Sequence, residues 1–440
     1  MKINFSSYKS LLKITGLFTG VQGLSLVLNI VRGKIAAMLL GPGGKGLNDM
    51  YNETRELIHT TTNCGLDIAG VRGVSQKYEL WCKETDYKKR QLMGAEIDEQ
   101  IKLLRTWVII FAVFGSVLCM LLAEPISYFT FSDYDHVGGI LLLSPAIGFS
   151  TMVCGEMTVL KATRRIKAIA TLSIVNVVLA ILVTLPFYQY WGLRGIVPAL
   201  VILSIVQFIA ISSYSYRYNK PHFLFSRLFL KQGTPMMKVG LAFTITNIVS
   251  HGTMLYIKSF INRTAGGGDL GIAEVGLFGA GYSIAFSYAG LIFASLDNDY
   301  YPRLAGVFDN LEERRKTVWK QVRLLVSLAI PVATLIIVFL PWILPLLNTD
   351  EFMGAVRMAQ YATVGLIFRA AYLPMAYIPL AAGHSRVFMY LEFISYIFLF
   401  LSVYTGYNMA GLDGAGIGLT VSIFLDMCVV YVISKVKYKL

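Results

Sequence analysis

Residues 47–69, LNDMYNETRELIHTTTNCGLDIA, carry polar and ionisable side chains at a helical spacing within an otherwise apolar chain. Intervals of four, three, four, three and four residues separate Asp49, Glu53, Glu56, Thr60, Asn63 and Asp67. At about 100° per residue this spacing places all six on one helix face, and Arg55 and His59 border that face. Because ionisable groups in hydrocarbon cost several kcal/mol each, the stretch predicts a binding site or a transport pathway inside a membrane.

The composition predicts a protein with many membrane spans. The 440 residues are 55% hydrophobic and 15% charged, with a mean hydropathy of +0.61. A crossing needs about 20 apolar residues, and the pattern gives twelve predicted spans at 14–39, 46–68, 106–128, 138–160, 169–188, 195–215, 239–260, 273–296, 324–346, 356–381, 388–406 and 414–434. The predicted fold class is therefore an all-α membrane protein with twelve transmembrane helices.

The distribution of Lys and Arg predicts the orientation of these spans. If both termini are cytoplasmic, the inner segments carry 30 of the 39 Lys and Arg residues and the outer segments carry four. This asymmetry is the one that the positive-inside rule describes. It explains the net charge of +13 without a nucleic-acid partner. The predicted location is the inner (cytoplasmic) membrane.

The second half of the chain repeats the first. Residues 46–67 align without a gap with residues 276–297, and at a different offset Lys220 aligns with Lys439. The repeat predicts an N-terminal six-helix lobe at 1–215, a cytoplasmic linker at 216–238 and a C-terminal six-helix lobe at 239–440. Lobes with this parallel relationship have an axis along the membrane normal and rock about a site between them.

Cations and amides within or at the ends of the spans are the candidate substrate-binding residues. They are Arg32, Lys34, Arg55, Lys258, Arg369, Asn29, Asn63 and Asn247. For the cations near the outer ends of spans, the alternative is that they extend to the membrane surface. For Arg55 the alternative is an internal ion pair with Glu56 or Asp67.

The residues from Lys34 through the turn Gly41-Pro42-Gly43-Gly44-Lys45-Gly46, followed by 65–72, resemble a pattern found in bacterial polysaccharide flippases. These are the Wzx-type translocases of the multidrug/oligosaccharidyl-lipid/polysaccharide (MOP) exporter superfamily. The resemblance implies a V-shaped, twelve-helix exporter fold. It also implies that the chain moves an undecaprenyl-diphosphate-linked oligosaccharide, of the O-antigen or capsule type, from the cytoplasmic to the periplasmic leaflet.

This substrate class accounts for the candidate residues. Arg and Lys can hold the diphosphate charge away from lipid, and the resemblance carries that role to Arg32, Lys34 and Arg55. The candidate ion-coupling residues are Asp49, Glu53, Glu56, His59 and His251. The candidate residues of an inner gate are Asp67, Arg72, Asp297 and Arg303. No cofactor is predicted, although a proton or sodium gradient is a candidate energy source.

Two alternatives remain at this point. A multidrug exporter of the same superfamily would bind cations, which the carboxylates at 49–67 would suit. An enzyme acting on lipid-linked sugars is disfavoured, because the longest outer connection, residues 263–272, is too short for a catalytic lobe and no nucleophile–base set is present. We therefore predict a transporter whose partners are the lipid-linked oligosaccharide, membrane lipids and the polysaccharide polymerase and ligase.

Overall fold

The computed structural model describes residues 5–223, 225, 233–288, 290, 293, 296 and 300–440. In these ranges every regular element is a helix, which confirms the all-α fold class. The first half contains α1 Phe5–Thr62, α2 Leu66–Lys83, α3 Tyr87–Leu121, α4 Ala123–Phe131, α5 Val137–Ala162, α6 Ile166–Trp191 and α7 Ile196–Tyr218. The second half contains α8 Thr234–Thr264, α9 Gly268–Tyr282, α10 Tyr301–Gly306, α11 Leu311–Leu347, α12 Val356–Ala376, α13 Ile378–Ala381 and α14 Ser385–Tyr438.

Two of these helices are interrupted by glycine. In α1, Gly41 adopts φ 63° and ψ −170°, and in α14, Gly411 adopts φ 58°. Side chains disfavour positive φ, so glycine is the residue that accommodates such breaks. Each of these helices contains two predicted spans. Apart from the turns at residues 63–65 and 377, the predicted spans lie on helices wherever the chain is described, and the end of the eighth (273–296) falls partly outside the described residues.

Side-chain hydrogen bonds cap the N-termini of two helices. The Asp86 carboxylate accepts hydrogen bonds from the amides of Lys88 and Lys89 at the start of α3. The Asn310 side chain does the same for Glu312 and Glu313 at the start of α11. Such caps satisfy amides that lack partners in the first helical turn.

The predicted inner end of the second span is wrong. The sequence predicts this span at 46–68, but α1 ends at Thr62, because Cys64 (φ 49°) and Gly65 (φ 61°) both adopt the left-handed conformation. A Cβ on Gly65 would lie only 2.7 Å from the Cα of Gly240, so this turn is also a close backbone contact. Asp67 consequently belongs to the first turn of α2 and does not continue the polar helix face of α1.

The chain forms two compact units, each with its own buried core. Unit 1 comprises Met1–Leu39 and Tyr51–His251, and unit 2 comprises Leu40–Met50 and Gly252–Leu440. A core of unit 1 joins α2, α3 and α5 through buried residues that include Leu66, Leu104 and Val159. A core of unit 2 joins α11, α12 and α14 through Leu325, Leu366 and Val430, among others. The lobes predicted at 1–215 and 239–440, with their linker at 216–238, stay a prediction.

Candidate substrate and ion site

The polar face of α1 comprises Asp49, Glu53, Glu56 and Thr60, with Arg55 and His59 on its edge and Asn63 just beyond the end of the helix. An ion pair lies on this face. Arg55 Nη2 lies 2.6 Å from Glu56 Oε1, and His59 Nδ1 lies 3.7 Å from Glu56 Oε2. The side chains of Arg55 and His59 are only 16% and 12% exposed. Of the two partners expected for Arg55, the structure selects Glu56.

Two further contacts continue this face within unit 1. His251 Nδ1 of α8 lies 3.4 Å from Glu53 Oε2, so one candidate ion-coupling histidine contacts one candidate carboxylate. The Asn63 amide nitrogen lies 3.7 Å from Cys154 Sγ on α5, and Asn63 is 4% exposed. The polar face of α1 is therefore packed against other helices of its unit.

The remaining carboxylate, Asp49, belongs to unit 2 and lies 3.9 Å from Lys45 Nζ, one turn earlier on the same helix. All three carboxylates of the polar face of α1 thus have a basic side chain within 4.0 Å. The charges of Asp49 and Glu56 are therefore offset by cations, whereas Glu53 faces a histidine that is charged only when protonated.

Unit 2 contains two of the candidate cations inside its helices. Lys258 on α8 is 6% exposed. The guanidinium carbon of Arg369 on α12 lies 5.3 Å from the centre of the Phe293 ring, and Arg369 is within electrostatic range of Glu392 on α14. Arg369 is thus surrounded by an aromatic ring and a carboxylate, an environment that sequence analysis did not predict.

The remaining candidate substrate-binding and gate residues differ in how far they are buried. Asn29, Arg32, Lys34 and Asn247 are half-buried. Of the candidate gate residues, Asp67 is half-buried in α2 and Arg303 is exposed in α10, whereas Asp297 and the side chain of Arg72 lie outside the described residues. The gate stays a prediction.

Among the described residues, no group of three or more His, Cys, Asp or Glu side chains could hold a metal ion.

A deeply buried ion pair of unit 1 was not predicted from the sequence. Arg105 is 3% exposed and binds both carboxylate oxygens of Glu156 at 2.8 Å. Its other hydrogen bonds reach Ser215 Oγ (3.2 Å) and the carbonyls of Asn219 (3.2 Å) and Lys220 (2.9 Å). A guanidinium has five N–H donors, and all five are used here. Arg105 is therefore a structural residue that links α3, α5 and the end of α7.

Unit 2 has a comparable arrangement at the end of its last helix. Arg314 donates hydrogen bonds to the carbonyls of Phe308 (3.0 Å) and Tyr438 (2.5 Å), and Arg315 donates to the carbonyl of Lys439 (2.9 Å). Lys439 is the residue that the sequence repeat aligns with Lys220. In both units an arginine of a long helix thus binds backbone carbonyls at or just beyond the end of another helix.

Comparisons with known proteins agree with this fold. The lipid II flippase MurJ in an inward closed conformation is similar with a TM-score of 0.72 at 15% identity, over 96% of this chain and 87% of that one. An inward-facing multidrug resistance MATE family transporter of the MOP superfamily gives 0.69 at 14% identity, over 94% of each chain. A MOP superfamily transporter from Pyrococcus furiosus gives 0.62 at 13% identity, over 96% and 93%. At these identities the similarity shows the fold alone.

The sequence defines the family more closely. The family described as polysaccharide biosynthesis protein matches residues 93–357, and the chain belongs to this family. No curated protein matches the sequence. The chain is thus a member of a polysaccharide biosynthesis family, and its fold is the one found in solved transporters of the MOP superfamily.

Proposed function

We propose that the chain is a flippase that moves an undecaprenyl-diphosphate-linked oligosaccharide, of the O-antigen or capsule type, from the cytoplasmic to the periplasmic leaflet by alternating access. Membership of the polysaccharide biosynthesis family supports a glycan substrate. The fold shared with a lipid II flippase supports a substrate carried on a lipid. On this proposal the protein is a transporter of the inner membrane with both termini in the cytoplasm.

The observation that carries the proposal is the pairing of the α1 carboxylates. A cavity that selects cationic drugs needs carboxylates whose charge is available to the substrate. Here Asp49 and Glu56 each lie within 4.0 Å of a cation, Lys45 and Arg55 respectively. The arrangement therefore favours an anionic substrate over a cationic one.

The intramembrane cations supply the chemistry that a diphosphate requires. Arg55 and Arg369 can present a forked pair of donors to phosphate oxygens, whereas Lys258 offers a compact point charge. Amides such as Asn63 and Asn247 can bond sugar hydroxyls.

Asp67 and Asp297 would close the cytoplasmic side in one phase of the cycle. A proton or sodium gradient would drive the cycle, and the glycan polymerase and ligase would use its product.

Complementation tests the proposal against a multidrug exporter, which the fold of the MATE transporters supports as the second candidate. The chain is expressed in a flippase-deficient strain and, separately, in a drug-sensitive strain that lacks its exporters. We expect restored surface glycan in the first strain and unchanged drug susceptibility in the second. Drug resistance without restored glycan would favour the exporter.

A further inference from the structure

A cavity of unit 1 lies between the first half of α3 and the segment that follows α7. Its volume is about 620 Å³, within the size range of pockets that bind small ligands. The charged side chains that line it are Asp98, Glu99, Lys102, Arg105 and Lys220. The cavity is therefore suited to a small ligand that carries charge.

Arg105 fixes the base of this cavity. Its guanidinium donates to the carbonyls of Asn219 (3.2 Å) and Lys220 (2.9 Å), and His222 Nδ1 lies 3.1 Å from the second of these carbonyls. These contacts hold one wall of the cavity against α3. Because Glu156 offsets the charge of Arg105, the remaining charges of the lining are two carboxylates and two lysines.

These remaining charges are ordered by depth along α3. After Arg105 the helix carries no charged residue as far as its end at Leu121, and this apolar part is its predicted membrane span. Asp98 and Glu99 lie on the same side of α3 as Lys102, about 5–6 Å farther along the axis from that apolar part. Lys102 is half-buried, whereas both carboxylates are exposed. A ligand in the cavity thus meets positive charge near the membrane and negative charge farther out.

Phospholipids that end in a primary ammonium carry charges in the complementary order. Their phosphate is attached to the glycerol next to the hydrocarbon, and their ammonium is the outermost group. We propose that the cavity binds the headgroup of such a lipid, phosphatidylethanolamine, with the phosphate at Lys102 and Lys220 and the ammonium at Asp98 and Glu99. Two cations and two anions in the lining complement a zwitterion. The inference is independent of the proposed transport function, since it requires only that the chain lies in a membrane.

Other headgroups share only part of this chemistry. Phosphatidylglycerol offers the phosphate but no cation for the carboxylates. Phosphatidylcholine has both charges, but its quaternary ammonium has no N–H donor for a charge-assisted hydrogen bond. Free phosphoethanolamine has the complete headgroup but no acyl chains to hold it at the membrane. These three compounds therefore separate the charge, the hydrogen bond and the lipid origin of the ligand.

Native mass spectrometry of the purified full-length protein with added lipids of identical acyl chains tests the proposal. For the wild type we expect phosphatidylethanolamine to bind about tenfold more tightly than phosphatidylglycerol or phosphatidylcholine, the equivalent of one hydrogen bond to a charged group. The double variant Asp98→Asn/Glu99→Gln should lose this preference, and Lys220→Gln should weaken the binding of all three lipids. The matched controls Glu96→Gln and Lys89→Gln, at exposed α3 side chains outside the cavity lining, should bind as the wild type does. All the substituted side chains are exposed, so the variants should fold.

Four results would contradict the proposal. A preference that persists unchanged in the double variant would overturn it, because the lipid would then bind elsewhere on the protein. Equal affinity for phosphatidylcholine would overturn the hydrogen bonds from the ammonium to the carboxylates, and tighter binding of phosphatidylglycerol would show an anion site instead. Displacement of the bound lipid by an equal concentration of free phosphoethanolamine would overturn a lipid as the occupant.

Discussion

Gly46 and Gly276, which the sequence repeat aligns with each other, are in direct contact within unit 2. A Cβ on Gly46 would overlap the carbonyl oxygen of Ile272 and lie 2.9 Å from the amide nitrogen of Gly276. A Cβ on Gly276 would overlap the carbonyl oxygen of Pro42. Close approach of small residues of this kind is a common basis of helix association in membranes. The segment Leu40–Met50 therefore packs closely on α9, with backbone against backbone at Gly46 and Gly276.

Because of this contact, alanine substitutions at Gly276 and at Gly43 should differ in their effect on the stability of the protein. Gly276→Ala should destabilise the protein by about 1–3 kcal/mol, because the added methyl group must displace backbone atoms. Gly43→Ala is the matched control, since a Cβ at Gly43 meets no atom within 4 Å. Thermal unfolding of the purified protein in detergent measures both. Equal Tm values for the two variants would show that the contact at Gly276 does not form in solution.

The Arg105–Glu156 ion pair should matter far more to stability than exposed pairs do. Removal of one partner leaves a buried charge without compensation, which costs about 3–5 kcal/mol. We therefore expect Arg105→Ala and Glu156→Ala each to lower the Tm strongly. The double variant should lose much less than the sum of the two single losses, because the pair acts as a unit.

The Lys77–Glu96 pair provides the control for that comparison. Its atoms lie 3.2 Å apart, but its side chains are 38% and 59% exposed. Exposed pairs contribute at most about 1 kcal/mol. Lys77→Ala should therefore leave the Tm nearly unchanged. A decrease in Tm as large as that of Arg105→Ala would contradict the conclusion that the Arg105–Glu156 pair matters because it is buried.

The orientation can be tested with reporter fusions. Alkaline phosphatase fused after Lys45, Asp135 or Arg263 should be active, because these residues lie in predicted outer segments. Fusions after Lys89 or Lys167 should be inactive, because these residues lie in predicted inner segments. A fusion to a reporter that is active only in the cytoplasm should give the opposite pattern. The reverse result at any two sites would refute the predicted orientation and the predicted repeat.

Hydropathy and spacing predicted the spans well, because a membrane requires long apolar helices whatever their partners. The same reasoning failed at Asp67. Asn63, Cys64 and Gly65 fit a helical spacing, but the left-handed backbone at Cys64 and Gly65 depends on a close contact with Gly240, far along the chain. Spacing within one helix carries no information on such a contact.

The polar contacts of the site were predicted less completely. The sequence does not indicate that Glu156 pairs with Arg105, because the two residues lie 51 positions apart. Adjacent residues on a helix do not face each other, yet the long side chain of Arg55 reaches Glu56. The identity of the candidate residues could be read from the sequence. Of the pairs on the polar face of α1, Lys45–Asp49 and Arg55–Glu56 are local in the sequence, whereas the contact between Glu53 and His251 depends on the tertiary structure.

Translocation in proteoliposomes tests the central claim most directly. The purified chain is reconstituted with a fluorescent undecaprenyl-diphosphate-linked oligosaccharide, and the fraction accessible to an external glycosidase is followed over time. We expect the protein to move the lipid to the outer leaflet, and Arg369→Ala to abolish movement while Arg369→Lys restores it in part, because the forked donor set is lost. The matched control Arg357→Ala, at an exposed pair with Asp413, should move the lipid normally. No movement by the wild-type protein above that of empty liposomes would contradict the account.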